Sequence, residues 1–454
     1  MEFPEGFVWG AASAAYQTEG GAFEDGKGAS IWDTFTHQPG TVADGSTGDV
    51  ACDSYHRFGE DLDIMASLGI KNYRFSVSWP RVIPDGDGAV NEAGLSYYDK
   101  IVDGCIARGI EPWMTLYHWD LPQVLQDKGG WLNRDTVRAF RRFTEVMAEH
   151  FADRVKFWFT INEPQICIGL GCCAGEHAPG LKLDTGEQFE CWHNLLLAHG
   201  AAASVIREKV PGAQIGASST GMLGYVHEHL KETPAAIPDF SFHIGETQQK
   251  DGHHFFFHQW ALDPMVKGHY PDDPASPWSA CAEEMKSRQG FDDEMRLISQ
   301  PLDFIGLNIY NGTELDPENG YEPMPRYIGF PRTAIGWHVT PEVMYWGTRQ
   351  LYERYGLPLI ITEDGQSCND RIFLDGKVHD PDRIDFLQRY LGELSDAVKD
   401  GVPVKGFFHW SLTDNMEWHS GYNERFGLVY IDYRTQDRTI KDSAYWYSDL
   451  INRK

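Results

Sequence analysis

Eight short runs dominated by apolar residues recur along the chain, at 7–16, 72–79, 112–119, 156–162, 214–218, 304–310, 359–362 and 405–411, each closing on polar, aromatic or turn residues. Their length and their β-branched and aromatic content predict strands. Between most of them, over 55–68, 92–108, 134–151, 189–209, 291–298, 341–355 and 382–398, apolar positions fall at the three- and four-residue spacing of helices with one buried stripe. Strand alternating with helix predicts parallel strands, because each return to the sheet needs a crossover. Eight such units without a Pro/Gly/Ser-rich linker predict an α/β fold, one (β/α)8 barrel over residues 1–454 as a single domain. Long loops after the first, fourth, fifth and sixth strands are expected to build a cleft. An open doubly wound sheet is the alternative, but Gly10-Ala11-Ala12-Ser13 lacks the glycine spacing of a phosphate loop.

In such a barrel, chemistry belongs at the carboxyl ends of the strands. Reading those ends collects Gln17 and Glu19, Arg74 and Trp79, His118-Trp119-Asp120, Asn162-Glu163, Asn308 and Tyr310, Glu363, and Trp410. Two of them stand out. Glu163 closes Phe-Trp-Phe-Thr-Ile-Asn and Glu363 closes Leu-Ile-Ile-Thr, so each is a carboxyl at the end of a run that should be buried. A buried carboxylate is costly unless it is paired, and a pair of them suits general acid, base or nucleophile work.

Composition narrows the ligand. A formal charge of −28 disfavours nucleic acid and anionic membranes, and aromatics at 13% with 15 Trp suit a cleft where flat apolar faces meet hydroxyl groups. A small neutral ligand is the expected partner. Apolar stretches fall short of the roughly 18 residues of a transmembrane helix, so no membrane contact is expected. The start, Met1 to Gly6, has no signal-like pattern, and the eight cysteines show no metal-finger spacing. Reduced thiols and a cytoplasmic location follow as expectations. The histidines show no paired helical spacing of the zinc-protease kind; no metal and no cofactor are expected, and His253-His254 is read as a loop or packing feature.

From Phe3 to about Trp446 the ordered motifs Phe-Val-Trp-Gly (7–10), Tyr-Gln-Thr-Glu-Gly (16–20), Tyr-Arg-Phe-Ser (73–76), Tyr-His-Trp-Asp-Leu-Pro (117–122), Thr-Ile-Asn-Glu-Pro (160–164) and Ile-Thr-Glu (361–363) are followed by Trp-Ser-Leu-Thr-Asp-Asn-Met-Glu-Trp (410–418) and Arg-Phe-Gly-Leu (425–428). This series resembles family 1 of the glycoside hydrolases, the β-glucosidase family. The resemblance implies a retaining β-glycosidase that removes terminal β-D-glucosyl residues from cellobiose-like or aryl glycosides, with galactosides and fucosides as further substrates. It makes Glu163 the acid/base and Glu363 the nucleophile, with Arg74 holding the nucleophile and Asn308 in support. It assigns Gln17, His118, Asn162, Glu417 and Trp418 to sugar hydroxyls, Tyr310 to the nucleophile's side, Trp410 and Phe426 to the aromatic floor and wall, and Trp337 to the aglycone platform. Association into homo-oligomers is compatible with the sequence.

Three features separate this chain from its neighbours in the family. Relatives that act on 6-phosphorylated sugars carry a small residue in place of Glu417, with lysine and tyrosine nearby. Here the loop 418–425 has no lysine, although Tyr422 and Arg425 keep the 6-phospho-β-glucosidase alternative open. Catalytically silent sugar-binding relatives lose one glutamate, whereas both are present, and transfer to acceptors other than water stays open. Third, Asp364 stands where the family has asparagine: a charged Asp364 would hinder ionisation of Glu363, unless it points away into the turn before Gly365.

Overall fold

The computed structural model describes residues 1–226, 254–274 and 276–453. Eight strands close a parallel barrel: β1 (Val8–Ala12), β2 (Asn72–Ser76), β3 (Glu111–Thr115), β4 (Phe157–Asn162), β5 (Gln214–Ser219), β6 (Ile305–Asn308), β7 (Leu359–Asp364) and β8 (Val404–Trp410), each hydrogen-bonded to its neighbours in sequence and β8 to β1. The expected (β/α)8 barrel is therefore the observed one. His253 lies outside the described residues, as does part of the chain between β5 and β6.

Helices α1 (Ser54–Leu68), α2 (Glu92–Ala107), α3 (Asp135–Phe151), α4 (Thr185–Lys209), α5 (Phe291–Ile298), α6 (Glu342–Tyr355), α7 (Pro381–Lys399) and α8 (Asp442–Ile451) surround it. The stripe on α3 is typical: Val137, Phe140, Phe143, Thr144, Met147 and Phe151 are buried at helical spacing while the opposite face is charged. Asp184 and Glu187 form a capping box that starts α4, and Arg207 and Lys209 oppose the dipole at its end. No described helix is long and apolar enough to cross a membrane.

The barrel interior is filled by Trp113, Phe159, Phe304, Ile360 and Phe408, with Trp113 stacked on Phe157 at 3.7 Å. Gly10 on β1 exists because of that filling: a Cβ there would sit 2.4 Å from the Phe408 ring. The packed centre forces polar strand-end residues up to the rim, which is where the site forms.

Two expected elements differ. The first strand stops at Ala12, and Ala15–Thr18 forms a helical turn, so Gln17 reaches the rim from a turn and not from a strand end. Trp79 begins another short helix and is fully buried against Phe140 and Phe143; it is core and does not reach the cleft.

Candidate active site

Glu163 sits immediately after β4 with φ of +46°, a left-handed conformation unusual for a side-chain-bearing residue. Its N–H donates to the Ser218 carbonyl at 2.8 Å, its carbonyl accepts from Ile166 and Cys167, and Pro164 opens the short helix that follows. The surrounding bonds thus hold a strained residue, a common feature of functional positions. The ladder also shifts register at both carboxylates, between Phe159 and Asn162 against β5 and between Ile361 and Glu363 against β6. Such bulges re-aim side chains, and here the second brings Glu363 to the face where Thr362 already meets Asn308.

One hydrogen-bonded chain joins the two glutamates. Asn308 Nδ2 donates to Glu163 Oε1 at 2.7 Å and to Asn162 Oδ1 at 3.1 Å. Arg74 donates through Nη2 to the same Asn162 Oδ1 at 2.6 Å and through Nη1 to Glu363 Oε1 at 2.6 Å. The Tyr310 hydroxyl donates to Glu363 Oε2 at 2.8 Å. Glu363 therefore accepts from a cation and a phenol, whereas Glu163 accepts from one neutral amide. Burial lifts the proton affinity of both. Glu163 is carried well above the usual carboxylate range, first by burial and then by the charge of Glu363. Glu363 is raised by burial too, but Arg74 and the Tyr310 hydroxyl oppose that rise. At neutral pH the arrangement favours a protonated Glu163 beside an ionised Glu363.

The amide of Asn162 is oriented by the donors on its oxygen, so its Nδ2 is the donor toward His118 Nε2 at 3.1 Å. His118 is fully enclosed and kept neutral by burial and by the Arg74 charge. Its proton then belongs on Nδ1, a buried atom with no partner among the described residues. Gln17 is fixed likewise: Nε2 donates to Asn415 Oδ1 and the Met416 carbonyl at 3.1 and 2.7 Å, leaving Oε1 buried and without a partner among the described residues. A buried donor and a buried acceptor without partners are expensive unless a ligand completes them.

Glu417 stands 3.5 Å from Gln17 Nε2, with its carboxyl pushed up to about 8 by burial, then by the charges of Glu363 and Glu424. Trp410 and Trp418 face His118, with ring centres 6.0 and 5.8 Å away, and Trp418 packs on Trp119 at 4.4 Å. Opposite them, Trp337, Tyr310 and Phe426 form a wall, Trp337 lying 5.1 Å from Tyr310 and 5.9 Å from Phe426. Most of the residues expected at the site from the sequence thus come together at one end of the barrel; Trp79 stays in the core, and Glu19 is taken up by Arg81 at 2.9 Å and the Tyr98 hydroxyl at 2.7 Å. Two contributors were not singled out there: Ser218 accepts from Arg74, and Thr362 donates to Asn308 Oδ1 at 2.6 Å and gives its carbonyl to Arg74; Trp119, collected there, donates to the Asn162 carbonyl. Thr362 shares the inward face with Ile360 by simple alternation, whereas Glu363 would alternate to the helix side; the bulge after Ile361 is what turns Glu363 inward as well.

Asp364 takes a different place from the charged neighbour of Glu363 that the sequence suggested. It lies within reach of Tyr390 of α7, which feels its charge, and its own proton affinity is set by burial and the Gly365 N–H. Neither oxygen has a well-formed hydrogen bond among the described residues, and burial carries the carboxyl well above its usual range with only weak relief from the Gly365 N–H. A neutral carboxylic acid is nearly the shape of asparagine. Gly365 itself is required because a Cβ would meet the Trp410 carbonyl at 1.9 Å.

The profile of glycosyl hydrolase family 1 matches residues 1–454. The chain belongs to this family. Beta-glucosidase A of Thermotoga maritima and beta-glucosidase A of Acetivibrio thermocellus are each 44% identical to it, aligned over 99% of this chain and 98% of theirs. A bifunctional beta-D-glucosidase/beta-D-fucosidase of Bifidobacterium breve is 39% identical over 99% of this chain and 98% of its own. The solved structure of the Thermotoga maritima beta-glucosidase in complex with glucoimidazole superposes with a TM-score of 0.87 at 43% identity, covering 99% of this chain and 98% of that one. This family member is accordingly an enzyme of the β-glucosidase type.

Proposed function

We propose that this β-glucosidase is a retaining enzyme that removes terminal β-D-glucosyl residues from cellobiose-like and aryl glycosides, with Glu163 as acid/base and Glu363 as nucleophile. The unequal surroundings of the two glutamates carry the reading. Glu363, held by Arg74 and Tyr310, attacks the anomeric carbon while Glu163 gives its proton to the departing oxygen; a glycosyl ester forms on Glu363 and the glycosidic bond breaks. Water then enters, Glu163 takes its proton back, and the ester is opened with the β configuration restored. Asn162, His118 and Gln17 have atoms free for sugar hydroxyls, and Asn162 is wired through Arg74 to the nucleophile, which suits a 2-hydroxyl contact that tightens in the transition state. Trp410 and Trp418 offer a flat floor, and Trp337 a platform for the leaving group. Fucosides and galactosides are proposed as secondary substrates; the Bifidobacterium breve relative's name supports the first.

An unphosphorylated glycone is favoured by a specific observation. The two groups that could have held a 6-phosphate are occupied: the Tyr422 hydroxyl donates to the Thr47 carbonyl at 2.8 Å, and Arg425 is tied to buried Asp414 at 2.7 Å. Glu417, whether protonated or charged, supplies no cation for a dianion. The reading is tested with Glu163→Gln. Hydrolysis of glycosides with poor leaving groups should collapse by about 10²-fold or more, while dinitrophenyl β-glucoside still forms the ester readily. Equal losses on both substrates would remove Glu163 from the acid role.

A further inference from the structure

Glu424 is not used by the reaction just described, and its position is informative. Residue 425 bridges Cys368 across the loop after β7, and the Arg425 side chain turns away from the cleft, to Asp414 and to the faces of Tyr430 and Tyr433. Along an extended segment alternate side chains share a face, so Glu424 lies on the side of Phe426, which lines the cleft. Its carboxyl is hydrogen-bonded by Ser367, whose hydroxyl also receives the Ile335 N–H beside the Trp337 wall. The other oxygen, Oε2, is buried without a partner among the described residues. Glu417 lies within reach of its charge, and 3.5 Å from Glu417 is the fully buried Gln17, whose Oε1 has no partner among the described residues.

A glucosyl ring with C1 over Glu363 and its 2-hydroxyl on Asn162 turns C5 and its C6 arm to the opposite flank, toward the loop after β8. That flank carries Glu417 and Glu424. We propose that Glu424 is a specificity-determining residue of the glucosyl site: with Glu417 it selects glycones whose C6 carries a hydrogen-bond donor or a cation, and it turns away glycones with a C6 carboxylate. A C6 hydroxyl can satisfy one lone pair, a C6 ammonium can serve both carboxyls, and a C6 carboxylate would bring a further acid group to a poorly hydrated corner that offers it no cation. The inference rests on the β-glucosidase reading and adds a substrate class to it.

The test uses the full-length enzyme at pH 6 with nitrophenyl β-D-glucoside, 6-amino-6-deoxy-β-D-glucoside, β-D-glucuronide and β-D-xyloside, the last lacking C6. With kcat/KM expressed relative to the xyloside, the wild type should rank amine above glucuronide. Glu424→Gln should lower the amine ratio and raise the glucuronide ratio, changing their quotient roughly tenfold, chiefly through KM. Ser367→Ala frees the carboxylate without removing it and should keep the wild-type order; Glu424→Ser repeats the charge removal if the glutamine variant folds poorly. Unchanged ratios in folded Glu424 variants, or all four substrates moving by one factor, would overturn the inference. A folded wild type that cleaves no β-glucoside would instead overturn the underlying function.

Discussion

Replacing Tyr310 by phenylalanine removes one oxygen and isolates one interaction with the nucleophile. The hydroxyl donates to Glu363 Oε2 at 2.8 Å, and the ring packs 5.1 Å from Trp337 and 6.2 Å from Phe426, contacts that phenylalanine retains. A hydrogen bond to a charged group contributes about 1.5–3 kcal/mol, and a pKa unit is about 1.4 kcal/mol, so complete loss would move Glu363 by about 1–2 units. Tyr310 is only half-buried, so water can replace part of the donation; about 0.5–1.5 units is expected. The sign is fixed: a donor to the charged form is lost, the pKa rises, and the ionised nucleophile appears only at higher pH. The acidic limb of kcat/KM against pH, measured on dinitrophenyl β-glucoside, should therefore shift upward, and the limb is assigned to the coupled pair of glutamates. A superimposable limb, or a downward shift, would refute the role given to Tyr310.

Glu363→Ala should abolish turnover in a folded protein, with azide restoring reaction and yielding the α-azide, read by NMR; a β-product would count against Glu363 as nucleophile. Glu417→Ser should reduce kcat/KM on the glucoside by about 10²-fold and narrow the rejection of the 6-phosphoglucoside; wild-type preference for the phosphorylated sugar would defeat the substrate assignment. Asp364→Asn should leave the acidic limb of activity in place but change stability. The folded carboxyl titrates well above its ordinary 3.8, so the unfolded chain loses its proton first and wild-type stability falls as pH rises above that value, by at most about 1.4 kcal/mol per unit until the folded group ionises. The melting temperature of Asp364→Asn should gain on wild type between pH 4 and 7; a constant difference would mean that Asp364 is already ionised in the fold.

Much of this was legible in the chain. All eight strands and seven of the eight outer helices follow from apolar periodicity, because a barrel strand buried on both faces and a helix buried on one leave different spacings. Helix α8 was missed: Ser-Ala-Tyr-Trp-Tyr-Ser offers no clean stripe, and its placement depends on a long-range bond from the Tyr447 hydroxyl to the Gly10 carbonyl at 2.9 Å. Many site residues could be collected because they follow strands, and Trp337, Glu417, Trp418 and Phe426 came only through the family resemblance, yet the wiring of neither set could be read. The bulge that turns Glu363 inward beside Thr362, the left-handed backbone of Glu163 and the outward aim of Asp364 depend on register between strands, and register lies in no local pattern. The same holds for Arg425, whose engagement by Asp414 decides that it cannot meet a phosphate.

The division of labour between the two glutamates is tested most directly by trapping the glycosyl ester. Incubation with 2-deoxy-2-fluoro-β-D-glucosyl fluoride should inactivate the enzyme as one label accumulates, and peptide mass spectrometry should place that label on Glu363 in Ile-Ile-Thr-Glu-Asp-Gly. A label on Glu163 or on any other residue would contradict the assignment. So would turnover without a trapped ester that gives the α-anomer as first product.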